Sequence, residues 1–396
     1  MKKSIFAIAA ATAFSGAAYA QSSVTVYGLV DGGFQQFKAE YNNTVINKQN
    51  SVAFGSNNGA GNLSGSRLGF RGIEDIGGGN TVSFVLETGI NYINQTLATT
   101  TAALIDQTAA SNGIASTGTA LFGAVRQGYL SINNKQFGSL RVGTQESLAK
   151  GIEMFDPQGG PNLVGSANLY AQGLVTRYSQ AFTYLAPKIL GIDFALQTTI
   201  DGTPTSEGAS VTGGAVPTGN KSTSLRAMYN QGPIAAGAVY EKRSTFGVAS
   251  GATNTITPVA ITGITATVVP EINHYGVGAS YDLKVIKPSV YYFNTKAINS
   301  SASASAGKNS GTLIGLTAPF STATTGTVAY TMGKSDNSNG TIAYDTKGLQ
   351  AVVTHSLSKR SNIYGGYGTV AWNTKFSATA LDVKYSMMTI GMRHSF

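Results

Sequence analysis

The sequence predicts an all-β fold: a 16-stranded antiparallel transmembrane β-barrel with short periplasmic turns and long extracellular loops. Three observations predict it: a composition low in charge and rich in glycine, a targeting segment at the N-terminus, and an even set of alternating segments joined by connections that are short and long in turn. The chain has 396 residues, of which 11% are charged; 49 are glycine, 19 tyrosine, 17 phenylalanine and one tryptophan. Glycine inside a helix costs about 1 kcal/mol per residue relative to alanine, so this composition sets an all-helical fold aside. The absence of cysteine excludes disulfide scaffolds and thiolate metal sites, and three dispersed histidines leave little material for a zinc cage. No metal or other cofactor is expected. A mean hydropathy of +0.02 suggests a soluble protein, yet so few charges would make a poor soluble surface.

The N-terminus supplies the address. Lys2 and Lys3 precede an apolar run from Ile5 to Phe14, and Ala18-Tyr19-Ala20 follows. This is the order of a secretory signal peptide, residues 1–20, with cleavage expected after Ala20 and the barrel occupying 21–396. The apolar run is well short of the roughly 20 residues that a spanning helix requires. No later segment approaches 18 uninterrupted apolar residues, which excludes a helical membrane protein. Barrel strands escape that test, because about 9–11 residues suffice and they alternate instead of running apolar.

Period-two segments rich in Val, Ile, Tyr, Phe and Thr are expected at 23–34, 65–74, 80–90, 124–132, 138–144, 174–185, 189–200, 222–230, 233–243, 272–282, 287–297, 311–319, 326–334, 347–357, 361–372 and 382–396. The total is even, as in bacterial single-chain barrels. Short connections occur at EDIGG, NNKQF, LAPK, QG, LKVI, APFSTATTG and SLSKRS. Long ones fall between them at 35–64, 91–123, 145–173, 201–221, 244–271, 298–310, 335–346 and 373–381. A sandwich or a β-helix gives no reason for this alternation, and no short repeated unit of a β-helix is present. An outer-membrane barrel does, because its two rims carry turns of different length.

The strands themselves are two-sided. Along GSRLGFRG, Arg67, Gly69 and Arg71 share one face while Leu68 and Phe70 share the other. An arginine facing lipid at mid-depth costs about 2–4 kcal/mol, so the Arg67 face belongs to a wet interior. TVSFVLETGI repeats the pattern, with Val82, Phe84, Leu86 and Ile90 opposite Ser83 and Glu87. A barrel of sixteen strands is too wide for its own side chains to fill and encloses an aqueous channel.

The last strand, DVKYSMMTIGMRHSF, puts Met388, Ile390, Met392 and Phe396 on one face, interrupted by His394, and ends on an aromatic residue. With this, the chain resembles the general porins of Gram-negative outer membranes, most closely the β-proteobacterial trimeric type. The residues that carry the resemblance are VTVYGLVDGG from Val24, SGSRLGFRGIEDIGGG from Ser64, RQGYLSI from Arg126, FGSLRVGTQ from Phe137 and the terminal RHSF. The resemblance spans the mature chain; the long loops match only in position.

What the resemblance implies is a homotrimer of barrels embedded in outer-membrane lipid, each pore narrowed by a third loop folded inward. It also implies that Phe396 is read by the barrel-assembly machinery as an insertion signal. The third loop maps to 145–173, which supplies Glu153 and Asp156 as acidic constriction residues. The basic wall maps to Arg67, Arg126 and Arg177, with Arg71, Glu87 and Arg141 as further lumenal positions. The loop's acidic residues have different neighbours from those of the enteric porins. The plainer alternative for each arginine is a lumenal salt bridge with no part in permeation.

Arginines facing carboxylates across a narrow wet gap orient polar solutes, and charged rings of this kind set ion preference. The formal charge of +9, reduced by the two signal-peptide lysines, suggests a mild preference for anions. The expected function is passive diffusion of small hydrophilic solutes and ions. The alternative is a channel specific for an organic acid, phosphate or sugar; the arginines are too few for a phosphate ladder, while a sugar slide stays open. An outer-membrane barrel enzyme is the more distant alternative, since His274, His355 and His394 are dispersed and no Gly-x-Ser-x-Gly or His-Glu-x-x-His occurs. Nucleic acid is not an expected partner, because basic residues form no cluster outside the signal peptide.

Overall fold

The computed structural model describes residues 23–54, 62–90, 122–159, 175–200, 219–246, 271–298, 307–337, 343–375 and 380–396. They form strands β1 (Ser23–Tyr41), β2 (Thr44–Phe54), β3 (Arg67–Gly77), β4 (Asn80–Ile90), β5 (Phe122–Asn134), β6 (Gly138–Glu146), β7 (Arg177–Leu185), β8 (Ile192–Thr199) and β9 (Gly219–Gln231). The second half contributes β10 (Ile234–Phe246), β11 (Glu271–Tyr281), β12 (Lys287–Ile298), β13 (Gly307–Pro319), β14 (Thr324–Asn337), β15 (Ala343–Ser356), β16 (Ser361–Lys375) and β17 (Ala380–Ser395). Each strand from β3 to β17 pairs antiparallel with the next. β1 pairs with β3 through its first residues and with β17 from Leu29↔Ser395 to Tyr41↔Val383, which closes the ring at sixteen strands.

The seventeenth strand is a departure from the sequence reading, which leaves 35–64 as a loop. β1 continues to Tyr41 because QQFKAEY keeps alternating. Above Leu29, where pairing with β3 stops, its free edge is taken by β2 from Gly32↔Phe54 to Tyr41↔Thr44. The sixteen predicted segments each coincide with a ring strand and, apart from the extension of β1, their ends move by a few residues. The short connections are tight turns. At Gln231-Gly232-Pro233-Ile234 the glycine takes φ +59°, the first central position of a type II′ hairpin, and Pro233 supplies the fixed negative φ after it. The predicted signal peptide and most of the predicted long loops lie outside the described residues.

Alternation sorts the side chains. Leu130, Ile132, Leu196, Leu225, Val277, Ile314, Met388 and Ile390 are large apolar residues exposed on the outer wall. Such an exposed belt would be a liability in water and is the surface a barrel presents to lipid. Among the described residues no helix is long and apolar enough to cross a membrane. At the seam, the Phe396 N–H donates to the Gly28 carbonyl and the Gly28 N–H to the Phe396 carbonyl, both at 3.1 Å. A Cβ on Gly28 would lie 2.3 Å from Phe396 Cζ, so only glycine lets the terminal ring lie flat over β1.

Candidate functional site

After β6 the chain turns into a 3-10 helix, Ala149–Phe155, whose period of three fixes what each side chain meets. Ala149, Ile152 and Phe155 fall on one stripe and are buried; Lys150 and Glu153 fall on the next. With Leu148, the apolar stripe packs on inward-facing Ala195, Met228, Ala235, Val239, Tyr291, Phe293, Leu313 and Ala329, a patch that runs from β8 to β14. Two glycines make the seat. A Cβ on Gly278 would lie 2.4 Å from Phe155 Cδ2, and one on Gly315 would lie 2.4 Å from Pro157 Cγ. Burying a phenylalanine side chain stabilises by about 1.5–3 kcal/mol, so Phe155 is the main anchor of this segment. Ser147 Oγ accepts the Lys150 N–H at 3.1 Å, and Gln158 Nε2 donates to Thr327 Oγ1.

The opposite wall is basic. Arg126 Nε donates to Glu87 Oε1 at 2.7 Å, and Tyr27 Oη donates to Glu87 Oε2 at 3.1 Å. Strict alternation along β5 would put Arg126 on the outer face with Leu130 and Ile132. A β-bulge reverses it: Glu87 faces Gln127 and Thr88 faces Val125, so Arg126 is the extra residue and turns inward. The same irregularity buries Ile90, which alternation assigns to the outer face. Arg67 lies within electrostatic range of Arg126, Glu87, Glu146 and Tyr27. Arg71 stacks over the Tyr27 ring at 5.4 Å and Arg141 over the Tyr129 ring at 5.1 Å. Such cation–π contacts hold a guanidinium without neutralising it.

Between the two walls, Glu146 collects charge. It is paired with Lys150 and lies 3.5 Å from Arg177 Nη2, while Lys150 Nζ is 3.9 Å from Glu153 Oε2. Glu153, on the inserted loop segment, has its carboxyl pushed up to about 7, first by burial and then by the carboxylates of Glu146 and Asp156; Lys150 and Arg177 oppose the shift. Asp156 is placed differently. It is buried, and its Oδ1 accepts the Gln158 N–H at 2.9 Å, so the carboxylate closes the turn after the helix.

The structure thus brings Arg67, Arg126, Glu87, Arg177 and Glu153 into one connected lumenal cluster, with Arg71 and Arg141 on the same wall and Asp156 buried in the turn after the loop helix. Phe396 is at the seam, apart from the cluster. Sequence reasoning missed Tyr27, Glu146, Lys150, Arg226 and Arg243. Arg226 shares an inward face with Ser222, Ser224 and Met228, and its Nη1 would lie 2.8 Å from a Cβ on Gly151, close under the loop helix. Arg243 Nε is 3.4 Å from fully buried Glu241, which also accepts from Tyr178 Oη at 2.8 Å. The alternation in STSLRAM and VYEKRS carries the signal for both arginines. Among the described residues no group of His, Asp and Glu is arranged to hold a metal ion. His274, His355 and His394 each hydrogen-bond a hydroxyl of the neighbouring strand, on Thr295, Thr324 and Ser361.

A family model described as Gram-negative porin matches residues 7–374. An outer membrane porin protein of Bordetella pertussis is 26% identical over 430 aligned positions that cover all of both chains. Outer membrane porin protein 32 of Delftia acidovorans is 45% identical over 87 residues, 22% of each chain. Among solved structures, an anion-selective porin from Comamonas acidovorans superimposes with a TM-score of 0.62 at 21% identity, covering 95% of this chain and 100% of that one. The trimer form of OmpT, an outer membrane protein of Vibrio cholerae, superimposes with a TM-score of 0.60 at 13% identity over 95% and 99% of the two chains.

Proposed function

The chain belongs to the Gram-negative porin family and is an outer-membrane pore; from that premise we propose that it is a weakly anion-selective general diffusion channel. The observation that carries this reading is the lumenal cluster in which Arg67, Arg126 and Arg177 meet Glu87, Glu146 and the loop carboxyl of Glu153. Opposite charges set on the two sides of a narrow aqueous gap hold a field across it. Small polar solutes and hydrated ions align with that field, while apolar solutes must give up water without compensation. Three arginines meet three glutamates in the cluster, and Arg71 and Arg141 add two further guanidinium groups to the basic wall, so anions concentrate at its mouth.

The constriction assigned to this geometry consists of Arg67, Arg126, Arg177 and Glu153, with Arg71, Glu87 and Arg141 lining the approach. Asp156 acts through the turn that holds Glu153. The same reading includes removal of residues 1–20, recognition of Phe396 by the barrel-assembly machinery, and a homotrimer. The branched outer face of β1, with exposed Val24 and Val26, suits close packing of a second barrel. No catalytic step is assigned to any residue.

Planar-bilayer recording tests the reading. Reversal potentials under a KCl gradient should show chloride favoured over potassium, and conductance should rise linearly with salt without block by micromolar organic acid, phosphate or sugar. Potassium preference would sink the charge assignment; micromolar block would replace a general pore by a specific one.

A further inference from the structure

We propose that Lys150, carried by the inserted loop itself, is a selectivity-determining residue of the pore, because it sets a cation on the side of the gap that carboxylates would otherwise make negative. The inference rests on the diffusion-pore reading and deepens it. The period of three in Ala149–Phe155 puts Lys150 and Glu153 on one stripe, beside the buried one. Ser147 Oγ, accepting the Lys150 N–H at 3.1 Å, fixes the first turn. From there the ammonium pairs with Glu146, the last residue of β6, and lies 3.9 Å from Glu153 Oε2. Glu146 in turn lies 3.5 Å from Nη2 of Arg177, the first residue of β7. Arg177, Glu146, Lys150 and Glu153 thus alternate in sign along a chain that crosses from the wall to the loop.

Exposure decides which of these charges a passing ion feels. Arg126 and Glu87 are sealed against each other at 7% and 6% exposure, whereas the side chains of Lys150 and Glu146 are 21% and 38% exposed. A sealed pair presents a dipole to the lumen; a charge in contact with lumenal water acts on ions over about 8–10 Å at ordinary salt. Without Lys150, Glu146 and Glu153 would face that water and share the Arg177 guanidinium. Lys150 also acts on Glu153 directly. Its ammonium and Arg177 oppose the rise of the Glu153 carboxyl to about 7, which burial, Glu146 and Asp156 produce. From β12 the Tyr291 phenol lies within electrostatic range of Glu153. On β9–β11, Arg226 reaches under Gly151, and Glu241 and Arg243 pair with each other beside His274. Loss of Lys150 therefore keeps Glu153 neutral to higher pH.

The test records the full-length barrel in planar bilayers under a KCl gradient, comparing the unaltered protein with Lys150→Gln and Lys150→Arg. Heat-modifiable gel migration verifies that each variant is folded. At about pH 6, where Glu153 is mostly protonated, Lys150→Gln should lower the chloride-to-potassium permeability ratio by about two- to three-fold, the weight of one unit charge several ångströms from an ion in water. The pH step in reversal potential should move up by about one pH unit in Lys150→Gln, because the carboxyl loses its nearest cation. Lys150→Arg keeps the charge and should restore both values. An unchanged ratio at about pH 6, a step that does not move, or failure of Lys150→Arg to restore them overturns the proposal. A rise in conductance with an unchanged ratio makes Lys150 a tie that holds the loop, and overturns it as well. Potassium preference in the unaltered pore overturns the anion-selective reading instead; Lys150 is judged by the displacement of the reversal potential between variants.

Discussion

Arg126 and Glu87 are joined by a 2.7 Å hydrogen-bonded ion pair whose side chains are only 7% and 6% exposed, and the pair exists because a bulge turns Arg126 away from lipid. A desolvated pair of this kind is sensitive to loss of either partner, since the survivor stays buried and uncompensated.

Arg126→Ala should therefore lower both stability and anion preference. The stability loss is expected at about 3–5 kcal/mol, read as a lower temperature for the heat-modifiable gel shift. Glu87→Gln should act in the opposite direction on selectivity, because it removes the carboxylate and leaves the guanidinium charge. Unchanged reversal potentials in both variants would place the pair off the ion path.

On the proposed reading, the loop carboxyl of Glu153 should give the pore a pH dependence near neutrality. Its value in the folded chain is raised to about 7 from an ordinary 4.5, so it is neutral in mildly acidic solution and ionised above about pH 7. The added negative charge should reduce chloride preference as pH rises from about 6 to about 8. Because folding raises the value, the linked stability is fully present below 4.5 and is lost as pH rises through about 7, so the loop is held most firmly in acid. Glu153→Gln should remove the pH step in reversal potential; a step that survives the substitution would assign it to another group.

Phe155 and Gly278 form the seat of the loop segment. Phe155→Ala should cost about 3–5 kcal/mol locally through the cavity it leaves. Single-channel conductance should rise and become noisier as the segment comes away from the wall. Gly278→Val reaches the same result from the other side, since a Cβ there would meet the Phe155 ring at 2.4 Å. Conductance traces identical to the unaltered protein would mean that the segment does not limit the pore.

Deletion of Phe396 removes two 3.1 Å backbone hydrogen bonds and the ring over Gly28 at the seam. Each such hydrogen bond is worth about 0.5–1.5 kcal/mol net, and the ring, still 44% exposed, adds less than a fully buried side chain would, so the closed barrel should melt earlier. Gly28→Val should do likewise while leaving the terminal residue in place. That variant separates closure of the barrel from recognition by the assembly machinery: if only the deletion reduces outer-membrane levels, Phe396 acts as a signal.

Much of the architecture was legible along the chain because it is local. Whether a strand has two faces depends on residues two apart, and whether a connection is a turn or a loop depends on its length, so sixteen strands, their direction and the wet side of Arg67 follow from the sequence alone. β2 escaped because TVINKQN has a weak pattern of its own and becomes a strand only where the upper edge of β1 stands free. Arg226 and Arg243 were readable from their neighbours but had no motif to single them out.

Three features belong to the tertiary structure. The inward turn of Arg126 depends on the register between β4 and β5, which no residue of β5 encodes alone. The loop helix lies where it does because glycines on β11 and β13, more than a hundred residues away in sequence, leave room for Phe155 and Pro157. Glu153 and Asp156, three residues apart and alike in sequence, part company when one shares the Lys150 stripe and the other folds back on its own backbone. Period and length are properties of one strand and survive in the sequence; register, seat and field are properties of strands in contact, and only the closed barrel brings those strands together.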